Sequence, residues 1–225
     1  MKVAFDHQIF TIQKFGGISR YFISLVNSLK NKTNAKILVG LYQNEYYQKK
    51  YNSVKFKNPS KTVTLNRYLN KASNIIDSKF FAPNILHETY YYNSIPFKGK
   101  RITTVYDMIH EKFPNYFLND SFTSKAKLNS IKRADHVLAI SKSTKNDLME
   151  IYNIDEKKIT VTYLGVEPFF NYEKTDSIII DDYFLFVGNR GGYKNFNKVL
   201  EAFKQSEKLK EIPLICFGGG ILTKG

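Results

Sequence analysis

Residues 1–42, MKVAFDHQIFTIQKFGGISRYFISLVNSLKNKTNAKILVGLY, contain the pattern that decides the fold. Residues 3–5 form a short apolar run typical of a buried strand, and the pair Gly16 and Gly17 follows it. Apolar side chains then recur at helical spacing as far as Leu29. Residues 35–42 are a β-rich run typical of a strand buried on both faces. A strand, a glycine loop, a helix and a second strand in this order indicate a parallel sheet.

Strand-like and helix-like segments alternate through the rest of the chain. The predicted strands cover residues 85–87, 101–106, 136–140 and 159–163, and the predicted helices cover residues 65–81 and 122–134 with a further helix that ends at Tyr152. This alternation predicts a doubly wound α/β sheet. The polar stretch 167–182 contains Pro168 and is the predicted linker. We therefore expect a first Rossmann-like domain over residues 1–170.

A second strand–loop–helix–strand unit follows, and residues 171–225 are assigned to the linker and to the start of a second Rossmann-like domain. Its predicted strands cover residues 183–187 and 213–217, and its helix covers residues 196–203. A unit this small leaves much of its sheet face unpaired. We therefore expect the chain to be a fragment of a longer protein, the alternative being an interrupted gene.

Composition narrows the functional classes. Of the 225 residues, 43% are hydrophobic, which predicts a packed core, and the net charge is +14. The lysines are scattered, so solvated faces explain the charge best, with attraction to an anionic membrane second and nucleic-acid binding third. The one cysteine, Cys216, excludes a disulfide within the chain and suits a reducing compartment. We expect a cytoplasmic protein, either free or peripheral on the inner face of the membrane, with no nucleic-acid partner.

Six motifs resemble, in order, segments of the family 4 retaining glycosyltransferases, especially the mannosyltransferase-like branch acting on bacterial surface polysaccharides. They are KFGGISRY (14–21), HETYY (87–91), TTVYDMIHE (103–111), ADHVLAIS with ST (134–144), KITV with LGV (158–166) and FVGNR with YKN (186–195). The resemblance implies a GT-B fold of two Rossmann-like domains. It also implies that the first domain binds a saccharide or lipid-linked acceptor and the second a nucleotide sugar. Transfer would be metal-independent and retaining, with the nucleotide sugar as substrate and no separate cofactor.

Such a transfer requires cations and backbone N–H groups that face the departing diphosphate. Arg190 and Lys194 lie in a glycine-bearing loop between a predicted strand and a helix, and the resemblance assigns them to the donor phosphates. Gly16 and Gly17 permit a close approach to donor or acceptor, although a tight turn explains them equally. The predicted donor-binding residues are Arg190, Lys194, Gly16, Gly17, Gly188 and Asn195.

The catalytic candidates follow the predicted strand 101–106. Many relatives carry a histidine where Tyr106 stands, and Tyr106 can form a hydrogen bond in its place. Asp107 lies at the carboxyl end of the strand, where α/β sites form, and His110 is the next candidate. With Glu111 these residues superficially suggest a metal site, but spacing on an irregular loop is poor support for one, and we predict no metal.

Other polar residues have two interpretations. His87 and Glu88 either line the cleft or are buried and satisfied, and Arg20 faces either the cleft or solvent. Ser141 and its neighbouring hydroxyls are predicted helix caps.

The resemblance implies a pair of glutamates that contacts the sugar and the ribose after the glycine run 218–220, and the 225 residues contain no such pair there. The function predicted for the parent enzyme is the transfer of a hexose. The first choice of hexose is mannose, with GDP-mannose as the donor. The alternatives are an inactive truncated product, a module that binds a membrane or a partner, and a nucleotide-sugar epimerase of the same architecture.

Overall fold

The computed structural model describes residues 1–48, 53–56, 59–92, 95–118, 121–165 and 182–219. The chain divides into two compact units, Met1–Gly165 and Val166–Gly225. The predicted boundary at residue 170 falls outside the described residues and stays a prediction. No helix in the described parts of the chain has the length and apolar composition needed to cross a membrane.

A parallel sheet forms the centre of the first unit. The strands of this unit are β1 (Lys2–Phe5), β2 (Asn34–Ile37), β3 (Leu41–Tyr42), β4 (Val54–Lys55), β5 (Ile85–Glu88), β6 (Lys100–Val105), β7 (His136–Ala139) and β8 (Ile159–Val161). Six of them form one sheet in the order β2-β1-β5-β6-β7-β8, and every pairing in it is parallel. The predicted parallel α/β sheet is therefore confirmed.

Helices connect the strands. They are α1 (Gln8–Ile12), α2 (Gly17–Leu29), α3 (Pro59–Phe81), α4 (Ile109–Lys112), α5 (Ser121–Arg133) and α6 (Lys142–Tyr152), with 3-10 turns at Pro114–Tyr116 and Glu156–Lys158. The apolar periodicity of α2 places Phe22 and Val26 in the core. The predicted cap at Ser141 is confirmed, because its hydroxyl accepts the N–H of Thr144 at the start of α6.

Two local predictions differ from the structure. A short helix, α1, lies between β1 and the glycine pair, so the pair does not follow the strand directly. The single strand predicted over residues 35–42 is divided into β2 and β3, and β3 pairs with β4 in a separate small sheet. The cause is Asn70 on α3, whose side-chain oxygen accepts the N–H groups of Gly40 and Leu41 and so directs the chain away from the main sheet.

The core lies on both faces of the sheet because successive side chains of β1 point in opposite directions. Phe5 packs on one face against Phe22, at a ring-centroid distance of 5.8 Å. Ala4 faces the other side, where it joins Leu38 and Leu86 in a smaller apolar cluster. Burial on both faces explains why these strands are short apolar runs rather than alternating ones.

A buried ion cluster ties β5 to β6 and α5. The carboxylate of Glu88, which is inaccessible to solvent, accepts hydrogen bonds from Arg101 at 2.7 Å and from Arg133 at 2.7 Å. The Nε–H of Arg133 also donates to this carboxylate, at 2.9 Å, and the hydroxyl of Ser130 donates to it at 2.7 Å. Two guanidinium groups and a hydroxyl thus compensate for removing this carboxylate from water. The first of the two interpretations of Glu88, a cleft residue, is therefore not supported.

The second unit is built on two parallel strands, β9 (Phe184–Val187) and β10 (Leu214–Phe217). Its helices are α7 (Phe196–Gln205) and α8 (Glu207–Lys210), with a 3-10 turn at Gly192–Lys194. Phe184 and Phe186 pack against Phe203 and Phe196 of α7 at centroid distances of 5.4 and 4.6 Å. The side chain of Val187 points to the opposite face of the strand and is exposed, so α7 covers only one face of this small sheet.

Replacing Glu88 with glutamine (Glu88→Gln) tests the ion cluster. The variant leaves two guanidinium groups without their counter-charge, and we expect the free energy of unfolding to fall by about 3–5 kcal/mol. Urea denaturation followed by circular dichroism measures this change. The matched control is Glu156→Gln, which removes an exposed ion pair with Lys145 and is expected to cost less than about 1 kcal/mol. Equal losses in the two variants would contradict the assignment.

Candidate active site

The order of the six-stranded sheet reverses between β1 and β5, since β2 lies on one side of β1 and all later strands lie on the other. In an open α/β sheet, ligands bind outside the carboxyl ends of the strands at such a switch point. The loops after β1, β5 and β6 therefore surround the candidate site of the first unit.

Asp6 joins the two strand ends at the switch point. It directly follows β1, and its carboxylate accepts bonds from the backbone N–H and the hydroxyl of Thr89 at 2.9 and 2.6 Å. The side-chain amide of Gln8 donates to it at 2.7 Å, and the side-chain oxygen Oε1 of Gln8 accepts the N–H of Tyr92 at 2.6 Å. Burial, together with the nearby charge of Glu88, raises the pKa of Asp6 to about 6. Asp6 was not among the predicted site residues, although an acid that directly follows the first apolar strand is a signal that the sequence shows.

His7 is buried beside Asp6 in a neutral form. Its Nδ1 lies 3.2 Å from the side-chain oxygen of Asn74, so Nδ1 carries the proton and Nε2 is left as an acceptor. Nε2 has no hydrogen-bond partner among the described residues. Burial lowers the pKa of His7 to about 4, and the positive charge of Arg67 contributes to this. A narrow recess lies next to the ring, with Arg67 stacked 4.6 Å from the ring centroid of Tyr92.

Tyr106 is a buried member of an aromatic wall beyond β6. Its backbone N–H donates to the Tyr91 hydroxyl at 3.4 Å, and its ring lies edge-on to Tyr21 at 6.4 Å. Burial raises the pKa of Tyr106 well above its usual range. Its hydroxyl has no hydrogen-bond partner among the residues that the structure describes. Tyr106 is therefore a buried hydroxyl without a hydrogen bond in this part of the structure, and its predicted role stays a prediction.

Asp107 starts the turn into α4. One carboxylate oxygen accepts the N–H of Ile109 at 3.2 Å, and its backbone carbonyl accepts a bond from the Lys127 ammonium at 2.9 Å. His110 lies on α4, and its ring centroid is 4.1 Å from that of Phe117. The turn therefore presents Asp107 at the carboxyl end of β6, as predicted.

Glu111 is bound within the protein and does not face the site. It accepts bonds from Lys127 at 2.8 Å and from the Tyr152 hydroxyl at 2.6 Å. Burial acts to raise the pKa of Glu111, but these two hydrogen bonds and the charge of Lys127 bring it below its ordinary value. The described residues contain no group of three His, Cys, Asp or Glu side chains that could hold a metal ion. Lys127 was not among the predicted site residues, and this buried lysine positions the whole turn.

The two interpretations of His87 are resolved by packing. Its ring lies 5.2 Å from that of Phe5 and 5.1 Å from that of Phe22, and its Nε2 lies 2.8 Å from the Thr104 hydroxyl. Burial lowers the pKa of His87 to about 4. His87 is thus a satisfied core residue.

The glycine pair of the first unit has two different environments. A side chain added at Gly16 would lie 2.3 Å from the amide carbon of Gln13, whose side-chain oxygen accepts the N–H of Ser19. An added side chain at Gly17 would meet nothing within 4 Å. The backbone of Gly16 is extended, with φ 167°, so the tight-turn interpretation is not supported, and the space beside Gly17 is open. Arg20, one turn into α2, is exposed.

In the second unit the loop after β9 carries four of the six predicted donor-binding residues, Gly188, Arg190, Lys194 and Asn195. Gly188 has φ +130°, and a side chain at Gly219 would lie 2.7 Å from the Gly188 carbonyl oxygen. The guanidinium of Arg190 donates to the carbonyl oxygens of Gly218 and Gly219, which joins the loops after β9 and β10. The Lys194 ammonium lies 5.1 Å from the Tyr193 ring centroid, and Asn195, at φ 53°, starts α7. These contacts hold the loop at the carboxyl end of the strands.

Solved structures share this architecture. The apo form of the lipopolysaccharide outer core galactosyltransferase WaaB is similar with a TM-score of 0.52 and 14% identity, over 98% of this chain and 68% of WaaB. A glycosyltransferase from Rickettsia africae ESF-5 is similar with a TM-score of 0.50 and 18% identity, over 97% of this chain and 68% of its own. At such identities the likeness shows the fold alone. The parallel sheet and this likeness define a Rossmann-like α/β protein of the GT-B type, as predicted.

Sequence comparison identifies the family. The O-antigen chain mannosyltransferase RfbU of Salmonella typhimurium is 26% identical over 125 residues, which are 56% of this chain and 35% of RfbU. The chain therefore spans about a third of the length of that relative. The model of Glycosyltransferase Family 4 matches residues 15–168, more than half of the chain. The chain belongs to Glycosyltransferase Family 4, and the resemblance drawn from its motifs is confirmed.

The pKa of His87 gives a testable pH dependence. Its pKa falls from 6.5 to about 4 on folding, so its contribution to stability is complete above pH 6.5 and is lost as the pH falls toward 4. We expect His87→Gln to reduce the slope of unfolding free energy against pH by about 1.4 kcal/mol per pH unit in this window. Asp6 acts in the opposite direction in both proteins and cancels in the difference.

Urea titrations at several pH values measure the slope. The control is Asn146→Ala on α6, which changes an exposed side chain that does not titrate, and its slope should match that of the wild type. Parallel curves for His87→Gln and the wild type would exclude a buried neutral histidine.

Proposed function

We propose that the protein transfers a hexose from a nucleotide sugar to a hydroxyl of a saccharide or lipid-linked saccharide. The observation that carries this proposal is family membership over residues 15–168 together with a glycine loop that bears a cation at the carboxyl end of β9. The chain spans part of its relatives' length, so the proposal concerns the whole enzyme to which these residues belong.

The second unit supplies the donor side. Developing charge on the diphosphate is best stabilised by donors that are already in place. Arg190 is held by the carbonyl oxygens of Gly218 and Gly219, which fixes its stem and plane, and its planar group suits phosphate oxygens. Lys194 adds a point charge, and Gly188 and Asn195 shape the loop at the start of α7. The N–H groups at the start of a helix favour a phosphate.

The first unit supplies the acceptor side. We assign Asp107 as the carboxylate that accepts a hydrogen bond from the acceptor hydroxyl, because a turn of α4 anchored by Lys127 presents it at the end of β6. Tyr106 donates its buried hydroxyl to an oxygen of the transferred sugar, and His110 is the adjacent polar contact. Gly16 and Gly17 border the same edge at the start of α2, where Gly17 leaves open space.

The finer features of the reaction are also part of the proposal. Mannose from GDP-mannose is the first choice of donor, and the name of RfbU, a mannosyltransferase, supports it. The family resemblance supports transfer with retention and without a metal, the diphosphate charge being met by Arg190, Lys194 and backbone N–H groups. A lipid-linked acceptor would place the enzyme peripherally on the inner face of the membrane.

Removing the cation of the donor loop should affect the chemical step. We expect Arg190→Ala to lower kcat/KM for the nucleotide sugar by about 10- to 1000-fold, as charge-assisted contacts to a leaving phosphate require. An assay of acceptor-dependent nucleoside diphosphate release measures this and separates transfer from epimerisation, which needs no acceptor.

The control for Arg190 is Lys198→Ala on α7, which removes an exposed ion pair with Glu201 and should change kcat/KM by less than about twofold. Melting temperatures of both variants show whether the loss comes from misfolding. Wild-type kinetics in both Arg190→Ala and Lys194→Ala would refute the phosphate assignment.

Asp107 is tested by removal of its charge. We expect Asp107→Asn to lower kcat by about 10²- to 10⁴-fold with little change in donor KM, because the lost group acts on the acceptor hydroxyl. The control is Asp147→Asn on α6, which loses an ion pair with Lys112 at 2.8 Å and should keep kcat. A higher donor KM with unchanged kcat would mean that Asp107 serves the donor instead.

A further inference from the structure

Two buried polar atoms lie at the recess beside His7, which the proposed transfer mechanism does not use. The recess is lined by His7, Gln8, Ile12, Arg67 and Tyr92. Nε2 of His7 and Nε of Arg67 have no hydrogen-bond partner among the residues that the structure describes. Buried polar atoms in folded proteins are nearly always paired. Two such atoms at one recess therefore indicate a place for a ligand.

Contacts within the first unit fix most of the walls of this recess. His7 is 1% exposed, and its Nδ1–H donates to Asn74. Oε1 of Gln8 accepts the N–H of Tyr92 at 2.6 Å. The ring of Tyr92 stacks on Phe122 at a centroid distance of 5.3 Å. These walls are in place before a ligand arrives, as is usual for a specific binding site.

Arg67 on α3 forms the movable side of the recess. Its guanidinium lies 4.6 Å from the ring centroid of Tyr92, and the residue is partly exposed. Nε2 of His7, in contrast, is inaccessible to solvent. A cation–π contact at a partly exposed site is weak, so Arg67 can leave the ring at little cost. Such a movement opens His7 to a ligand and keeps the guanidinium beside it.

The polar atoms of the recess require a ligand group that both donates and accepts hydrogen bonds. His7 is neutral at pH 7, because burial lowers its pKa to about 4, so Nε2 offers a lone pair. Arg67 offers N–H groups alone. An ionised carboxylate or phosphate only accepts, and it would meet the lone pair of Nε2. An ammonium group only donates, and it would meet the guanidinium. A hydroxyl satisfies both residues at once.

The apolar walls and the position of the recess fit a sugar that carries such a hydroxyl. Ile12 and the ring of Tyr92 offer apolar surface to the C–H groups of a pyranose. The recess lies after β1 and β5, where the strand order reverses. Asp107 follows β6, two strands from β1, and this places the two chain segments roughly 10 Å apart. The recess therefore lies beside the position of the reacting hydroxyl and not at it.

We propose that this recess binds a neutral sugar unit of the acceptor, with one hydroxyl held between Nε2 of His7 and the guanidinium of Arg67. Arg67 leaves the ring of Tyr92 as the sugar enters, and both buried polar atoms gain a partner. The two residues select acceptors that carry this hydroxyl, since buried polar groups reject an analogue that leaves them unpaired. The inference rests on the proposed function, because it takes the ligand to be part of the saccharide acceptor.

A chemical-shift titration of the isotope-labelled chain with neutral sugars tests the proposal without donor or turnover. The probes are the methyl glycosides of mannose, galactose and N-acetylglucosamine, together with their monodeoxy analogues. At least one glycoside should shift the side-chain resonances of His7 and Arg67. One of its deoxy analogues should bind about tenfold more weakly, because it lacks the hydroxyl that the two residues share.

Two variants remove the polar atoms of the recess. His7→Asn keeps an amide near the position of Nδ1, which can still donate to Asn74, but it removes the acceptor at Nε2. We expect this variant to weaken sugar binding by about fivefold or more. Arg67→Met should weaken it by about tenfold or more, because the lost hydrogen bond is charge-assisted.

The matched controls keep one of these features. His7→Gln should restore part of the affinity, since its amide oxygen reaches the position of Nε2. Lys79→Met removes an exposed cation from the same helix as Arg67 and should bind sugars as the wild type does. Melting temperatures show whether a variant is folded, and Arg67→Met tests the recess from its partly exposed side if His7→Asn unfolds.

The deoxy analogue gives the sharpest comparison. The wild type and His7→Asn should bind it with equal affinity, because the hydroxyl that bonds Nε2 is absent. The proposal is overturned if no glycoside shifts His7 or Arg67, or if both variants bind sugars as the wild type does. Tighter binding of sodium pyrophosphate than of any sugar, lost in Arg67→Met, would assign the recess to an anion. Sugar binding with the expected dependences but without transfer by the whole enzyme would refute the proposed function alone.

Discussion

The carboxylate of Asp6 is the point on which the arrangement of the first unit depends. It lies where the strand order reverses, and it accepts bonds from Thr89 after β5 and from Gln8 after β1. Gln8 extends the link to Tyr92, so a single buried acid fixes the loops on both sides of the switch point. Burial opposes the charge of this group and raises its pKa to about 6. The site is therefore held together by a carboxylate whose ionised form lowers the stability of the fold. Such groups are common where function constrains a fold.

A second constraint follows from the loops beneath α3. The turn after β2 leaves backbone N–H groups at Gly40 and Leu41 away from any strand partner, and Asn70 satisfies both. A buried backbone donor must find a partner, so α3 has to direct amide side chains inward at this level. Farther along α3, Ile75 and Phe81 pack against the apolar cluster of Ala4, Leu38 and Leu86, while Ile76 and Phe80 are exposed. The inner side of the helix is thus polar where it meets the loops and apolar where it meets the sheet.

Much of the fold could be predicted because its signals are local. Buried parallel strands are continuous apolar runs, the periodicity of α2 is helical, and the hydroxyl of Ser141 is a cap that is readable within four residues. The missed features depend on distant residues. The division of the run 35–42 is caused by Asn70, which follows Gly40 by thirty positions in the sequence. Lys127 and Glu88 take their roles from partners on other elements, and no local pattern distinguishes a buried lysine from a solvated one. The donor loop in the second unit was recognised by resemblance, and the roles of Arg190 and Lys194 stay predictions.

The contacts of the neighbouring acids support the assignment of Asp107 as the acidic residue of the site. Four acids lie near the carboxyl ends of β1, β5 and β6: Asp6, Glu88, Asp107 and Glu111. Asp6 is saturated by Gln8 and Thr89, Glu88 is enclosed by two guanidinium groups, and Glu111 is bound by Lys127 and Tyr152. Asp107 uses one oxygen for the N–H of Ile109, and its other oxygen accepts no bond from the described residues. The carboxylate of Asp107 is partly buried and has one oxygen bound, so it is held in place and can still accept a hydrogen bond from a hydroxyl. The other three acids would first have to lose contacts that stabilise the fold. The same contacts that make those three acids structural therefore support the proposal that Asp107 acts on the acceptor hydroxyl.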